Sequence, residues 1–537
     1  MPLIMPLPDL DSLTLAELVA QMVVVRASGY LFDHQIQYPA WEPPTAKLQH
    51  LIENLGVGGV IFLGGSAPEL AIRSQQVQNW AKIPLLIAAD IEEGVGQRFS
   101  GATWFPPPMA IGAIASQNSN AQQYASLMGA ITAGEALAIG INWVLAPVVD
   151  VNNNPDNPVI NVRAFGETPQ TVSQLATAFI QGAQNYPILT TAKHFPGHGD
   201  TRTDSHLDLP VLLHSTARLA EIELPPFQAA IAANVDAVMS AHLLIPSWDD
   251  QYPATLSKQI LTEQLRKQLG FPGLIVTDAM VMGAIANRYG ATEAPVLAVE
   301  AGADILLMPV DPEAAIKAVC AAVESDRISK QRIRASVERI WVAKSKVTGN
   351  GGMGELHQYL VSQLAQPSAF AVVEKILCES LIVHGSVPLQ IEKSTSGGGL
   401  CNLIVVDELL GCDFLSFQAG AIAIPTQLGY TTKLCDRYTL IADAHVHNQP
   451  TLLQLFIRGN PFRGSAGLSQ VAQALTKKLL TSGNLQALVV YGSPYVLDQL
   501  LPIPAEVPCI FSYGQMPLAQ EVVMKTLLGT SLSLSQD

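Results

Sequence analysis

Short apolar runs alternate, in the first part of the chain, with longer stretches in which apolar residues recur at helical spacing. Such helical stretches include residues 118–138, 169–185, 217–233 and 257–269. Strands that alternate with helices are typical of a parallel sheet. Eight runs within about 310 residues predict that this sheet closes into a (β/α)8 barrel. The predicted strands are residues 21–25, 59–63, 85–90, 143–150, 189–194, 237–242, 274–278 and 304–308.

Polar or ionisable residues stand at or just after the ends of six of these runs. They are Arg26, Asp90, Asp150, His194, His242 and Asp278. Barrel enzymes place their active sites at the carboxyl ends of the strands. We therefore expect these side chains to face one pocket.

A second alternating segment follows a glycine-rich break. We predict a barrel domain over residues 1–345, a linker over 346–369 and a smaller α/β sandwich over 370–537. Strands are predicted there at residues 380–384, 401–406, 451–457, 487–491 and 507–512. The linker contains a G-x-G-x-x-G pattern at Gly349, Gly351 and Gly354, but it follows a basic helix instead of a strand. Because dinucleotide binding needs the strand–helix context, we predict no cofactor.

Composition narrows the class of protein further. The 537 residues are 49% hydrophobic and 14% charged, which indicates a large buried core, and the net charge is −15. Since no block of lysine or arginine occurs, nucleic acid and anionic membrane are poor partners. Six cysteines without a C-x-x-C pair indicate single thiols in a reducing compartment. Without an evident secretory leader or membrane span, we predict a cytoplasmic protein.

One loop concentrates the ionisable residues. Residues 193–206 hold three histidines, two aspartates and a lysine, and their glycines and proline disfavour a helix. His194, His198 and His206 could ligate zinc, or could simply be structural loop histidines. The loose spacing and the lack of a nearby cysteine disfavour a metal, so we predict none.

The remaining candidates fit the chemistry of a sugar. A polyol needs many directional hydrogen bonds, which Asp90, Arg98, Arg163, Lys193, His194 and His242 can supply. Asp278 could attack an anomeric carbon, because a carboxylate is a good nucleophile toward an oxocarbenium-like centre. A retaining glycosidase also needs an acid, and an imidazole at His206 held by a carboxylate could serve. Asp204 and Asp200 both remain open as that orienting carboxylate.

These motifs resemble the β-N-acetylhexosaminidase branch of glycoside hydrolase family 3. The resemblance covers roughly residues 20–345 and rests on ordered segments. They are Lys193-His-Phe-Pro-Gly-His-Gly-Asp-Thr201 with Asp204-Ser-His206, Asp150-Val-Asn-x-Asn-Pro155 with Arg163-Ala-Phe-Gly166, Ser240-Ala-His242, and Leu269-Gly-Phe-x-Gly-Leu-Ile-Val-Thr-Asp278.

The resemblance implies a retaining hydrolase that removes terminal β-linked N-acetylglucosamine. By position, Asp278 is expected to be the nucleophile and His206 the acid/base with Asp204 as its partner. The six polar residues named above for the sugar are expected to bind it, with no metal or organic cofactor. Members of this branch often act on muropeptides in cell-wall recycling, so the expected partner is an oligosaccharide that contains N-acetylglucosamine.

One motif departs from the family pattern Asp-x-Glu-Gly-Gly-Arg-Val-x-Arg. In the segment from Asp90 to Arg98, Glu93, Val95 and Gly96 replace the first glycine, the arginine and the valine. Two alternatives to a hydrolase stay open. One is a phosphorylase or transglycosylase that uses the same covalent intermediate, and the other is a catalytically silent sugar-binding protein whose altered loop closes the pocket.

Overall fold

The computed structural model describes residues 7–205, 207–348, 361–391, 399–409, 412–436, 439, 449–458 and 470–529. Its first sheet contains eight parallel strands in the order β7-β6-β5-β4-β3-β2-β1-β8. A bridge between Val276 and Ile305 joins the two ends of this order, so the sheet closes. The strands are β1 Val23–Ser28, β2 Gly59–Leu63, β3 Leu86–Ala89, β4 Trp143–Val144, β5 Leu189–Phe195, β6 Ala237–Ser240, β7 Leu274–Val276 and β8 Leu306–Leu307.

Helices connect the strands of the barrel. The α-helices are Leu15–Gln21, Thr45–Glu53, Ala67–Trp80, Pro108–Ala115, Ala121–Ala138, Pro169–Ala183, Thr216–Arg218, Leu224–Ala232, Gly283–Ala301, Pro312–Glu324 and Lys330–Thr348, with π-helical segments at Leu219–Glu223 and Gln259–Gln268. Local sequence explains several starts. The Ser66 hydroxyl accepts a hydrogen bond from the backbone N–H of Glu69, and the Glu69 carboxylate accepts one from the backbone N–H of Ser66. This capping box begins the helix Ala67–Trp80.

Burial accounts for the apolar character of the barrel strands. All seven residues of β5 are buried, including Lys193 and His194, and β3 and β6 are buried throughout. Strands covered by helices on one side and packed inside the barrel on the other are expected to be apolar almost continuously. The eight predicted runs each coincide with an observed strand, which confirms the predicted fold class of a TIM-like barrel followed by a smaller α/β domain.

The second domain is built on a six-stranded sheet in the order β11-β10-β12-β13-β14-β9. Its strands are β9 Ile382–His384, β10 Leu400–Val406, β11 Tyr430–Cys435, β12 Thr451–Ile457, β13 Leu485–Gly492 and β14 Cys509–Ser512, of which only the β14–β9 pair is antiparallel. Helices Pro367–Glu379, Gly420–Gln427, Gln470–Thr481, Pro494–Asp498 and Pro517–Leu528 accompany them. The sequence pattern missed β11, an edge strand with mostly exposed or half-buried residues and no apolar run.

The junction between the domains lies partly outside the described residues. Helix Lys330–Thr348 ends just before residues 349–360, which include the three glycines of the linker motif and are not described. Helix Pro367–Glu379 begins beyond them. The predicted boundaries therefore stay a prediction. In the part of the chain that is described, no helix combines the length and apolar character needed to cross a bilayer.

Candidate active site

The strand ends of the barrel open into one pocket of about 900 Å³, which is near the upper end of the range for small-molecule sites. The second domain supplies part of its wall. Barrel residues that line it include Asp90, Glu92, Glu93, Arg98, Arg163, Lys193, His194, His198, Ser205 and Asp278, and second-domain residues include Asp407, Glu408, Asp413, Phe414, Phe456 and Arg458.

A buried network of charges forms one side of the pocket. Nζ of Lys193 lies 2.7 Å from Oδ1 of Asp90 and 2.6 Å from Oε1 of Glu92. Glu92 also accepts two hydrogen bonds from Arg163, at 2.8 Å from Nε and 2.7 Å from Nη2. Such bidentate pairing fixes the plane of the guanidinium. Two cations and two carboxylates are thus held at the ends of three different strands or their loops.

The pairing sets the protonation of this network. Burial alone would raise the pKa of Glu92, but the charges of Arg163 and Lys193 outweigh it and hold that pKa well below its ordinary range. Burial alone would lower the pKa of Lys193, but Asp90 and Glu92 raise it instead. Lys193 is therefore an ammonium and Glu92 a carboxylate at neutral pH, and the ammonium can donate hydrogen bonds.

Asp150 organises the histidines of the 193–206 loop. Its carboxylate is fully buried and lies 2.8 Å from Nδ1 of His194. It also accepts from the backbone N–H groups of His194, at 3.2 Å, and of His198, at 2.7 Å. Because a carboxylate at this position accepts, Nδ1 of His194 carries the proton. Although burial raises the pKa of Asp150, His194 and the hydrogen bonds lower it overall.

His198 is built into the loop by its own ring. Nδ1 lies 2.7 Å from the Thr201 hydroxyl and Nε2 lies 3.0 Å from the Ser205 hydroxyl. Burial lowers the pKa of His198 to about 4, so the ring is neutral near pH 7. The ring therefore braces residues 198–205. Gly199 is required here because a Cβ at this position would lie 1.8 Å from the carbonyl oxygen of Val151.

Asp278 stands where strand β7 ends and lines the pocket, half-buried. Its Oδ1 accepts a hydrogen bond from the backbone N–H of Ala279 at 2.7 Å. His242 lies on the neighbouring strand end and is fully buried, with Nε2 3.1 Å from the carbonyl oxygen of Ala279 and Nδ1 2.8 Å from the Thr255 hydroxyl. The structure thus brings His242 to the backbone beside Asp278, not among the pocket-lining side chains.

The predicted acid/base loop is described in part. His206 lies outside the described residues. Asp204 is 2% exposed, and its carbonyl oxygen accepts from the N–H groups of Leu207 and Asp208. Asp200 was the rival carboxylate, and it pairs with His214 at 2.8 Å and with Arg218 at 3.4 Å. Asp200 therefore has two partners in the segment that follows the loop, and the choice of Asp204 as the orienting carboxylate stays a prediction.

The structure gathers most of the predicted residues and adds others. Asp90, Arg98, Arg163, Lys193, His194 and Asp278 line the one pocket. Sequence reasoning did not assign the roles of Glu92 or Asp150, although Asp150 ends a predicted strand and Glu92 belongs to a quoted motif. It also missed Asp407 and Arg458, which follow β10 and β12 directly. The rule that ligands bind at the carboxyl ends of parallel strands could have found both.

The protein has a closed barrel, and paired carboxylates and cations surround a pocket at the ends of its strands. A second α/β domain completes the wall of that pocket. These features are typical of a barrel enzyme. The sequence profile described as Glycosyl hydrolase family 3 N terminal domain matches residues 14–343. The profile described as Bacterial Glycosyl hydrolase family 3 C-terminal domain matches residues 393–529. The chain belongs to glycosyl hydrolase family 3, which confirms the resemblance found in its sequence.

The chain is similar to related enzymes and to solved structures of this family. Beta-hexosaminidase A of Pseudoalteromonas piscicida is 34% identical over 57% of this chain and 56% of that protein. A beta-N-acetylglucosaminidase/beta-glucosidase of Cellulomonas fimi is 30% identical over 64% of this chain and 61% of that protein. The chain thus spans less than two thirds of the length of these two relatives. The solved family 3 beta-N-acetylglucosaminidase from Paenibacillus sp. str. FPU-7 has a TM-score of 0.79 and 29% identity, covering 96% of this chain and 97% of its own.

Proposed function

We propose that this protein is a retaining β-N-acetylhexosaminidase that releases terminal β-linked N-acetylglucosamine. The observation that carries the proposal is the shared pocket of Asp278 and the Lys193–Asp90 pair. A nucleophile beside rigidly held donors and acceptors is what sugar hydrolysis requires. The beta-N-acetylglucosaminidase from Paenibacillus supports the same sugar, and the beta-hexosaminidase A of Pseudoalteromonas supports a hexosaminide.

In the proposed first step, the Asp278 carboxylate attacks the anomeric carbon and the bond from that carbon to the glycosidic oxygen breaks. His206 donates its proton to the departing oxygen, and the product is a glycosyl ester of Asp278. In the second step, His206 removes a proton from water, the water oxygen attacks the anomeric carbon, and Asp278 leaves as a carboxylate. Asp204 orients the imidazole and favours its protonated form.

The other residues bind and orient the sugar in this proposal. Lys193, Asp90 and Arg163 present charged hydrogen-bonding groups at fixed positions because Glu92 holds both cations. His194 presents Nε2 to the pocket because Asp150 holds Nδ1. Arg98, whose Nε donates to the Asp90 carbonyl oxygen at 3.1 Å, adds an exposed cation. His242 acts through the Ala279 backbone, and so positions Asp278 without touching the sugar.

The pocket presents both signs of charge to an acceptor. Asp407, Glu408 and Asp413 line it and would repel a phosphate, whereas Arg98 and Arg458 also line it and would attract one. Hydrolase and phosphorylase are therefore distinguished by product analysis with and without phosphate. Muropeptides as natural substrates and a cytoplasmic location remain predictions. Assays with a muropeptide that carries a terminal β-linked N-acetylglucosamine, and fractionation of cells, test them.

One assay tests the proposed function. Wild type and Asp278→Ala are compared on an aryl β-N-acetylglucosaminide and an aryl β-glucoside, with circular dichroism to verify folding. We expect turnover of the first substrate by wild type, at least tenfold preference over the glucoside, and nearly complete loss in the variant. A near-normal rate in Asp278→Ala would remove this residue from the mechanism. Sugar binding without turnover would support the silent protein instead, and a product phosphorylated when phosphate is present would support the phosphorylase.

A further inference from the structure

The altered loop after strand β3 buries a carboxylate where the family pattern has glycine. The side chain of Glu93 is 1% exposed. Burying an ionised carboxylate without partners destabilises a fold by an amount on the order of several kcal/mol, because the carboxylate loses its hydration. Charged or polar partners can offset this loss. The replacement of glycine by glutamate therefore needs donors supplied from elsewhere in the fold.

The two domains each supply one such donor. Nε1 of Trp104, in the barrel, donates to Oε2 of Glu93 at 3.0 Å. Nη2 of Arg458, in the second domain, donates to Oε1 at 2.7 Å. Arg458 follows β12 directly and lines the same pocket as Asp278. The cation that stabilises the altered loop thus belongs to a residue 365 positions from Glu93 along the chain.

The same loop carries the residues proposed to bind the sugar. Asp90 and Glu92 point to Lys193, whereas Glu93 points to the second domain. The backbone carbonyl of Glu93 accepts from the N–H of Phe105 at 2.8 Å, which ties the loop to the following segment. Holding Glu93 in place therefore fixes the rim of the pocket between Asp90 and the second domain.

We propose that Arg458 is a positioning and specificity-determining residue, which through Glu93 fixes the rim of the pocket for a leaving group that is a further sugar ring. The inference rests on the proposed function: the groups proposed to bind the terminal sugar lie on the barrel, so the second-domain part of the same pocket is left for the leaving group. A small aryl leaving group needs little of that wall, whereas a second pyranose needs all of it.

A purely structural role would give a different pattern, and other contacts between the domains offer the control. The hydroxyl of Tyr124, in the barrel, contacts the carboxylate of Glu379 in the second domain, and neither residue lines the pocket. Tyr124→Phe removes this contact and leaves the pocket untouched. It therefore measures what loosening the domains does by itself.

The experiment compares wild type, Arg458→Gln, Arg458→Lys, Glu93→Gln, the double variant Glu93→Gln/Arg458→Gln and Tyr124→Phe. For each, kcat and KM are measured with an aryl β-N-acetylglucosaminide and with the β-1,4-linked disaccharide of N-acetylglucosamine, together with Tm. We expect Arg458→Gln to raise KM for the disaccharide about tenfold and to change kcat/KM for the aryl substrate less than threefold. Arg458→Lys should recover part of the loss, because it keeps the charge.

The double variant distinguishes the loss of the Glu93–Arg458 ion pair from the effect of leaving one buried charge without its partner. Because it leaves no buried charge unpaired, we expect its Tm to lie above that of Arg458→Gln, while its KM for the disaccharide stays raised. Equal losses on both substrates, or a pattern like that of Tyr124→Phe, would reduce Arg458 to a domain contact and overturn the inference. Absence of turnover of both substrates by wild type would instead refute the proposed function, and the inference with it.

Discussion

The side chain of Lys193 is 2% exposed, and its ammonium lies 2.7 Å from the carboxylate of Asp90, which lines the same pocket. A lysine buried to this degree is stable as a cation only beside carboxylates, here Asp90 and Glu92. Three of the groups proposed to bind the sugar, on Lys193, Asp90 and Arg163, therefore belong to one charge network. Stability and binding should then fail together when one member is removed.

Lys193→Met tests that coupling. Loss of the cation leaves Asp90 without its partner and removes a charged donor from the pocket, so we expect KM for an aryl β-N-acetylglucosaminide to rise at least tenfold and stability to fall by about 3 kcal/mol. Kinetics and urea unfolding measure both. Lys267→Met is the matched control, since Lys267 pairs with Glu263 on an exposed surface. An unchanged KM in Lys193→Met would remove this lysine from the sugar site.

Asp150→Asn tests the carboxylate beneath the histidines. The amide has the shape of aspartate, but its NH2 group would replace the oxygen that faces Nδ1 of His194, while the remaining oxygen still accepts from the backbone N–H of His198. We expect unfolding free energy to fall by about 2–4 kcal/mol and kcat/KM to fall at least tenfold. Calorimetry and the aryl assay measure these changes. Asp156→Asn, on an exposed side chain of the same loop, should change neither. Retained activity in Asp150→Asn would mean that the orientation of His194 is immaterial.

His206→Ala tests the proposed acid/base. An activated aryl leaving group needs little protonation, whereas a sugar leaving group needs much. We therefore expect kcat/KM to fall about tenfold or less for a dinitrophenyl glycoside and at least a hundredfold for the disaccharide. Asp204→Asn should show the same ordering with smaller losses, because in the proposed mechanism Asp204 orients the imidazole and transfers no proton to the substrate. Equal losses on both substrates would assign His206 a structural role.

Lys344 gives a prediction for stability against pH. This lysine is fully buried against Trp341 and donates to the side chain of Gln21 at 2.6 Å, and burial lowers its pKa to about 7. Between pH 7 and its ordinary pKa near 10.5, the unfolded chain binds more protons than the folded chain. The contribution of Lys344 to the free energy of unfolding therefore rises as the pH rises from 7 to about 10.5.

The measurement compares wild type with Lys344→Met. We expect wild type to gain up to about 4 kcal/mol relative to the variant as pH rises from 7 to 10.5, measured by urea unfolding at several pH values. Lys330→Met, at the exposed start of the same helix, should track wild type throughout. A constant difference between wild type and Lys344→Met would mean that Lys344 keeps its ordinary pKa in the fold.

The barrel itself was determined by the sequence. Each predicted run from 59–63 to 304–308 became a strand because burial on both faces demands continuous apolar residues, and that demand is local. The ordered motifs, from Asp150 through His194 to Asp278, likewise predicted the family. The edge strand Tyr430–Cys435 escaped because an edge position relaxes the same demand.

Only the tertiary structure decided which residues meet. In the folded protein, Asp150 pairs with His194, and His242 contacts the backbone of Ala279. Glu93 also pairs with Arg458 across two domains. The physical reason is that an apolar pattern is repeated every few residues and shows in any short window, whereas a buried charge can be matched by a partner at any distance along the chain. Where that partner lies depends on how the domains pack.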